Sequence, residues 1–244
     1  MVRIVCAGDT DVGLRRGNNE DAYVMRPELG FLALADGMGG AASGEMASRI
    51  FAETASELFA ESEKVSEHEI LYLIREVFRL ANERILNQGR ENVQHRGMGC
   101  TAELVAFVGE SYVLGHVGDS RTYLFREGQL KQLTVDHSLV QDQIDRGLIT
   151  PEEARTHSLR NVILRSVGVN EILAVDLIRG KSLPGDLLLL CSDGLTDMVD
   201  DPLIRQALSL PLSVTQKVER LIDMAKSAGG YDNVTAVLCE VATS

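Results

Sequence analysis

The sequence predicts an α+β domain in which helices cover a largely antiparallel sheet core. Three observations predict it: short apolar runs bounded by glycine, two longer amphipathic segments, and an element order that does not alternate strand with helix. The apolar runs fall at residues 31–35, 100–108, 112–117, 122–125, 186–191 and 234–241. They are rich in Val, Leu and Phe, and turn residues such as Gly109-Glu110-Ser111 and Glu127-Gly128 close them, so they read as strands and hairpins. The opening stretch, residues 1–11 from Met1, carries charge and a Gly-Asp turn and reads as a strand with its exit, not a signal peptide. Helical spacing is plain in Ala47, Ile50, Phe51, Thr54 and Leu58, and again in Ile70, Ile74, Val77, Phe78, Ala81 and Ile85. Repeats of three or four residues put each set on one stripe that must pack on something. A third helix runs through Val218, Leu221, Ile222 and Ala225, capped by Ser213 and stopped at Gly229-Gly230. Strands, a helix pair, more strands and a late helix form the order of a layered α+β domain. Residues 134–168 are more polar and rich in turns. Within them, 139–146 reads as a short helix, and Thr150 caps a second that opens on Pro151-Glu152-Glu153. Such an excursion over a domain surface often borders a site.

The totals fit this reading. A chain of 244 residues, 45% hydrophobic and 25% charged, buries a large core, and without a linker or repeat one domain over residues 1–244 is expected. No segment approaches the roughly 20 apolar residues of a membrane helix, so a cytoplasmic protein without membrane contact is expected. The four cysteines, Cys6, Cys100, Cys191 and Cys239, show no metal-binding spacing and read as free thiols in or beside strands. A net charge of −12 argues against nucleic acid as partner, because neutralising phosphates takes a basic surface.

The acidity is patterned. Aspartates stand in turns at four strand ends: Asp36-Gly37, Gly118-Asp119-Ser120, Asp193-Gly194 and Asp232-Asn233, with Glu20-Asp21 near a fifth. Taken singly, each is an ordinary turn, since Asp caps backbone groups and Gly accepts positive φ. Together they suggest one cleft, and clustered carboxylates repel unless cations hold them. Hard oxygen ligands without a Cys/His set select Mn²⁺ or Mg²⁺. A pair of such ions can clamp an in-line displacement at phosphorus, which needs no protein nucleophile. The chain accordingly shows no Ser/His/Asp arrangement and no Gly-x-Ser-x-Gly turn.

At these residues the sequence resembles the metal-dependent protein phosphatases of type 2C, in their compact bacterial serine/threonine form. The matches run in order: Thr10-Asp11-Val12-Gly13 with Arg16 and Asn19-Glu20-Asp21, then Ala35-Asp36-Gly37-Met38-Gly39-Gly40 and Gly99-Cys100-Thr101-Ala102. Next come Gly115-His116-Val117-Gly118-Asp119-Ser120-Arg121 and Leu133-Thr134-Val135-Asp136-His137-Ser138, before Ser192-Asp193-Gly194-Leu195-Thr196-Asp197 and Asp232-Asn233-Val234-Thr235. The resemblance implies a four-layer α-β-β-α sandwich, two central antiparallel sheets flanked by helix pairs. It also implies a protein serine/threonine phosphatase that hydrolyses phosphoserine and phosphothreonine by a metal-bridging hydroxide attacking phosphorus in line. Asp36 would bridge two ions, the Gly37 carbonyl would bind one of them, Asp193 and Asp232 would complete the first, and Glu20 would reach the second through water. Asp119, with Asp193, would hold a weaker third ion. Asp21, Asp197 and Asn233 would stand behind the ligands and orient them, while Arg16 would grip phosphate through its planar fork. The implied partners are phosphorylated proteins, substrates of a bacterial Ser/Thr kinase and the kinase itself, met by a monomer.

Two departures matter. Met38 stands where some members have a histidine proposed as general acid, so a metal-bound water or another group must protonate the leaving oxygen. His137 and His157 are candidates, though such residues more often serve structure; the remaining histidines carry no catalytic signal. The flap implied at residues 134–168, with Gly147-Leu148-Ile149-Thr150, has Ser158 after His157 where proline is common. Two rival functions remain. A catalytically inactive relative that binds phosphoproteins as a regulator predicts a missing ligand, and none is missing. A two-metal nuclease predicts a basic groove, which the charge of −12 disfavours.

Overall fold

Central strands with apolar side chains on both faces need a covering layer on each side, and this requirement sets the architecture. The structure, a computed structural model, describes residues 3–39, 43–62 and 66–242; Met1 and Gly40 of the stretches named above lie outside them. The strands and helices are β1 (Ile4–Asp11), β2 (Asp21–Arg26), β3 (Phe31–Met38), α1 (Ser43–Glu61), α2 (Glu67–Glu91), β4 (Gly99–Cys100) and β5 (Ala102–Val108). They continue with β6 (Ser111–Val117), β7 (Arg121–Arg126), β8 (Gln129–Gln132), α3 (Leu139–Asp145), α4 (Pro151–Arg155), β9 (Asp176–Lys181) and β10 (Leu187–Cys191). The last are α5 (Asp193–Thr196), α6 (Asp201–Ser209), α7 (Val214–Ser227) and β11 (Val234–Val241).

One sheet has the order β1-β11-β10-β7-β8 and the other β2-β3-β5-β6-β9, with β4 paired to the end of β3. Every ladder in both is antiparallel. The period-2 alternation of a strand sorts the core into three layers. In β3, Phe31, Ala33 and Ala35 meet α1 and α2, where Phe51, Phe59, Ile74 and Phe78 are buried. The intervening Leu32 and Leu34 meet Leu188, Leu190 and Val237 of the other sheet. In β10, Leu187, Leu189 and Cys191 point the opposite way, onto Ile204, Leu208, Val218 and Leu221 of α6 and α7. The four layers implied by the resemblance are therefore present.

The amphipathic stripes formed helices with the expected caps. Ser213 and Gln216 close a capping box on α7, and Thr150 and Glu153 close another on α4. Ser66 and Ser138 cap α2 and α3 through their hydroxyls. Glu127 and Gly128 both take positive φ, 51° and 77°, and join β7 to β8 by a turn that suits the twist of a hairpin. The apolar run at 100–108 is interrupted, because Thr101 leaves the ladder and gives its N–H to the Asp36 carbonyl at 2.8 Å. None of the described helices is long and apolar enough to cross a membrane.

Because Leu190 is fully buried between the sheets two positions before Ser192, it links the core directly to the end that carries the aspartates. Leu190→Ala is expected to lower unfolding free energy by about 2–5 kcal/mol with an unchanged urea m-value. Equilibrium urea denaturation checks it.

Candidate metal centre

Antiparallel pairing brings the predicted acids to one end of the sandwich. Asp21 opens β2 and lies opposite Asp36 near the end of β3. Asp119 follows β6, Asp193 follows β10, and Asp232 precedes β11, whose first residue Val234 pairs with Asp11. Cys191, at the end of β10, pairs with both Arg121 and Ala236, which fixes the Asp119 and Asp232 turns relative to Asp193.

Backbone anchors hold these positions. The Asp36 N–H donates to Thr101 Oγ1 at 3.1 Å, and Thr101 Oγ1 lies 2.6 Å from Ser120 Oγ, so the Asp36 and Asp119 turns share one hydroxyl pair. The Gly37 N–H donates to the Glu20 carbonyl at 3.1 Å, and Ser48 Oγ donates to the same oxygen at 2.6 Å. A Cβ on Gly37 would collide with the Gly44 carbonyl, and one on Gly44 would collide with the Gly37 backbone, so both positions need glycine. Asn233 binds the 12–20 loop: its Oδ1 accepts from Glu20 N at 2.8 Å, and its Nδ2 donates to the carbonyls of Val12 and Asn18 at 3.0 and 2.9 Å. Asp21 is buried, and its Oδ2 accepts from Ser192 Oγ at 2.9 Å and Thr235 Oγ1 at 2.5 Å.

The electrostatics are those of an uncompensated cluster. Burial pushes the Asp36 carboxyl well above the usual range, and Asp21, Asp193, Asp119 and Asp232 each push it further. Asp193 is raised in the same way, by burial first and then by Asp119, Asp197, Asp232 and Asp21. Burial takes Asp21 up to about 6 against the hydrogen bonds from Thr235 and Ser192. It takes Asp119 up to about 7, with Asp136 adding to the effect. One oxygen of each, Asp21 Oδ1 and Asp119 Oδ1, is buried without a hydrogen-bond partner among the described residues. Such groups normally find one, and a cation is one way to supply it. Among the described residues, no three acidic, histidine or cysteine side chains close tightly enough to form a metal cage on their own.

Arg16 reaches the rim, where Nη2 lies 2.6 Å from Asp232 Oδ2 and Asp232, Glu20 and Asp193 raise its pKa. Asp193 does not sit in a simple turn: it begins α5, and the Asp197 N–H donates to its carbonyl at 2.7 Å, placing both carboxylates on one helical turn. A cavity of about 550 Å³ adjoins the acids, lined by Asp119, Asp193 and Asp197 on one side and Ser138, Arg155 and Arg160 of the 134–168 segment on the other. A cavity of about 540 Å³ on the outer side of α2, lined by Arg75, Arg79 and Glu171, contains none of these acids.

The candidate histidines are both engaged elsewhere. His137 Nδ1 accepts from the Gly118 N–H at 3.0 Å, and burial with the neighbouring His116 pushes its pKa down to about 4. His157 Nδ1 accepts from the Leu159 N–H at 3.1 Å. Neither lines the cavity beside the acids. Thr101, Ser120, Ser192 and Thr235 anchor the acidic turns, a role their motifs do not disclose. Ser120 and Ser192 stand directly beside Asp119 and Asp193, which was the available signal for those two; Thr101 and Thr235 have no aspartate within two residues.

Comparison with known proteins agrees with this geometry. The family model described as protein phosphatase 2C matches residues 15–239. The serine/threonine protein phosphatase PstP of Mycobacterium tuberculosis is 40% identical over 235 residues, covering 96% of this chain and 44% of PstP. This chain therefore spans less than half the length of that relative. The protein phosphatase PhpP of Streptococcus pneumoniae is 36% identical over 232 residues, covering 94% of each chain. The crystal structure of the PstP catalytic domain in complex with two manganese ions superposes with a TM-score of 0.91 at 38% identity, covering 100% of both chains. With its strand-end aspartates in place and the family model matched across residues 15–239, the chain belongs to the protein phosphatase 2C family.

Proposed function

We propose that this chain is a metal-dependent protein serine/threonine phosphatase, one catalytic domain over residues 1–244 that removes phosphate from phosphoserine and phosphothreonine in proteins. The observation that carries the reading is the gathering of the strand-end aspartates at one end of the sandwich, where Asp21 lies opposite Asp36 and burial with Asp21, Asp193, Asp119 and Asp232 pushes the Asp36 carboxyl up. An all-oxygen donor set suits Mn²⁺ or Mg²⁺, and the manganese-loaded PstP domain supports the choice. Asp36, the Gly37 carbonyl, Asp193 and Asp232 would hold the ions, with Asp36 shared between two of them and Glu20 acting through water. Asp119 with Asp193 would hold a weaker third, and the buried Asp119 Oδ1, which has no hydrogen-bond partner among the described residues, is the atom free to do so. When bound, the ions lower the pKa of a water and neutralise phosphate oxygens.

The chain's own residues supply the rest. Arg16 presents its fork to the phosphate and exchanges Asp232 for the substrate's oxygens. Asp21, pinned by Ser192 and Thr235, keeps β2 in register with Asp36. The 134–168 segment walls the adjoining cavity and accommodates the polypeptide around the phosphorylated residue. Substrates are proteins phosphorylated by a Ser/Thr kinase, the kinase included, and the enzyme acts as a monomer in the cytoplasm. Four free thiols support a reducing compartment.

With Mn²⁺ the purified protein is expected to hydrolyse phosphoserine and phosphothreonine peptides and a chromogenic aryl phosphate. Asp193→Asn should lower kcat/KM by about a thousandfold with an unchanged circular dichroism spectrum; retained turnover would mean the ligands are misassigned. Arg16→Lys, which keeps charge but loses the fork, should cost about tenfold in kcat/KM. Steady-state kinetics on one phosphopeptide measures it.

Metal should also be visible in stability. The folded state keeps protons on Asp21 and Asp119 up to about 6 and 7, whereas the unfolded chain releases them near 3.8. Their contribution is therefore fully present below about pH 4 and is lost as pH rises through 6 to 7. Bound Mn²⁺ offsets that loss, so its effect on Tm should be small at pH 5 and reach about 5–10 °C at pH 8. Thermal melts with Mn²⁺ and with EDTA across that range test this; an equal shift at both ends would refute it.

A further inference from the structure

Away from the acidic site, the layer between the sheets holds a buried ionisable pair. Glu103 on β5 and His116 on β6 lie directly opposite one another, and both are fully buried. Alternation with Ala102 and Leu104, which face the helices, turns Glu103 into the layer between the sheets. There its Oε1 meets His116 Nδ1, and its Oε2 accepts from Thr122 Oγ1 of the opposite sheet at 2.6 Å. His116 Nε2 donates to the Val135 carbonyl at 2.9 Å. Both ring nitrogens thus face acceptors, which an imidazolium satisfies. Burial works against that charge while Glu103 favours it, and burial raises the Glu103 carboxyl as well, so the two groups hold one proton between Oε1 and Nδ1.

Next to it the His137 ring stacks at 4.5 Å with an interplanar angle of 34°. Its Nδ1 accepts from the Gly118 N–H, which a neutral ring allows. The His137 N–H in turn donates to the Gly118 carbonyl at 2.7 Å. Gly118 directly precedes Asp119. A buried ion pair is weak evidence for stability, since well-packed apolar residues of similar size often serve as well or better. Its geometry points to a different role.

Resting on the phosphatase reading, we propose that Glu103 and His116 are positioning residues: they fix the root of the 134–168 segment through the Val135 carbonyl and, through His137, the Gly118-Asp119 turn. Neither touches substrate. Their effect reaches the reaction through Asp119 and the segment that walls the cavity.

Hydrogen exchange, calorimetry and kinetics test this. In the unmodified protein the His137 amide should exchange at least about tenfold more slowly than amides 146–150 of the same segment. His116→Leu should speed exchange at residues 133–138 by about tenfold, the effect of one lost hydrogen bond. The same variant should weaken the lowest-affinity Mn²⁺ binding seen by calorimetry and lower kcat/KM more for a phosphopeptide than for an aryl phosphate. Glu103→Gln should rescue: its amide donates to Nδ1 and accepts from Thr122, leaving Nε2–H on Val135, so each readout stays within about threefold of the parent. A folded His116→Leu protein with parental exchange at 133–138 and parental Mn²⁺ binding would overturn the proposal. So would a Glu103→Gln loss as large as that of His116→Leu, or a fast His137 amide in the parent, which needs no variant to fold. A parent that binds Mn²⁺ yet turns over no phosphopeptide would instead sink the phosphatase reading, and the exchange test would still stand.

Discussion

Asp36, Asp119, Asp193 and Asp232 press on one another across one end of the sandwich, and burial adds to what each charge costs. A flexible chain would relieve that repulsion by moving the carboxylates apart. Here it cannot, because each aspartate continues from a strand or turn already fixed by hydrogen bonds. Asp36 is bonded to Thr101 at its N–H and its carbonyl, and Asp232 is followed by Asn233, whose amide holds two carbonyls of the 12–20 loop. The remaining ways to lower the energy are to take up protons or cations. Raised carboxyl pKa values and an affinity for cations are thus two consequences of one arrangement.

Rigidity at the site is inherited from the layers behind it. Leu188 and Leu190 face one sheet while Leu187, Leu189 and Cys191 face the helices, so β10 cannot slip by one residue without exchanging its two apolar faces. The same holds for β11, where Val234, Ala236 and Leu238 alternate with Val237, Cys239 and Val241. Register in these two strands places Asp193 beside Asp232. Hydrophobic burial here pays for electrostatic strain a few residues away, and the helix pairs are needed because both sheet faces are apolar.

This division explains what could be read from the sequence. The strands buried on both faces gave unmistakable apolar runs, and the amphipathic stripes of α1, α2 and α7 were equally clear. The strands that left no signal, β2, β8 and β9, are all sheet edges. Their residues are mostly half-exposed; in Gln129–Gln132 apolar content falls to Leu130. α6 was missed because only Ile204, Ala207 and Leu208 are buried in its short span. The acidic residues were legible one by one as turns and collectively as a site. The supporting hydroxyls were not, since Ser and Thr beside Asp look the same in any turn. Glu103 and His116 were invisible because pairing across β5 and β6 depends on a register that sequence does not state.

The two roots of the 134–168 segment show how the fold ties down the wall of the cavity beside the acids. At one root, Val135 and His137 are bonded to His116 and Gly118, one residue from Asp119. At the other, Val167 exchanges backbone hydrogen bonds with Cys100, next to Thr101, and the Gly168 N–H donates to Asn82 Oδ1 at 2.7 Å. Each root is therefore tied to a turn that carries or holds an aspartate. The Ser138–Ile163 bridge narrows the span further. Between them, Arg155 pairs with Asp200 and Arg160 approaches Asp197 at 3.7 Å, both through partly exposed side chains on the cavity wall. Such exposed pairs hold weakly and exchange partners readily. The wall can shift while the roots stay fixed, so movement of the wall need not disturb the spacing of the carboxylates.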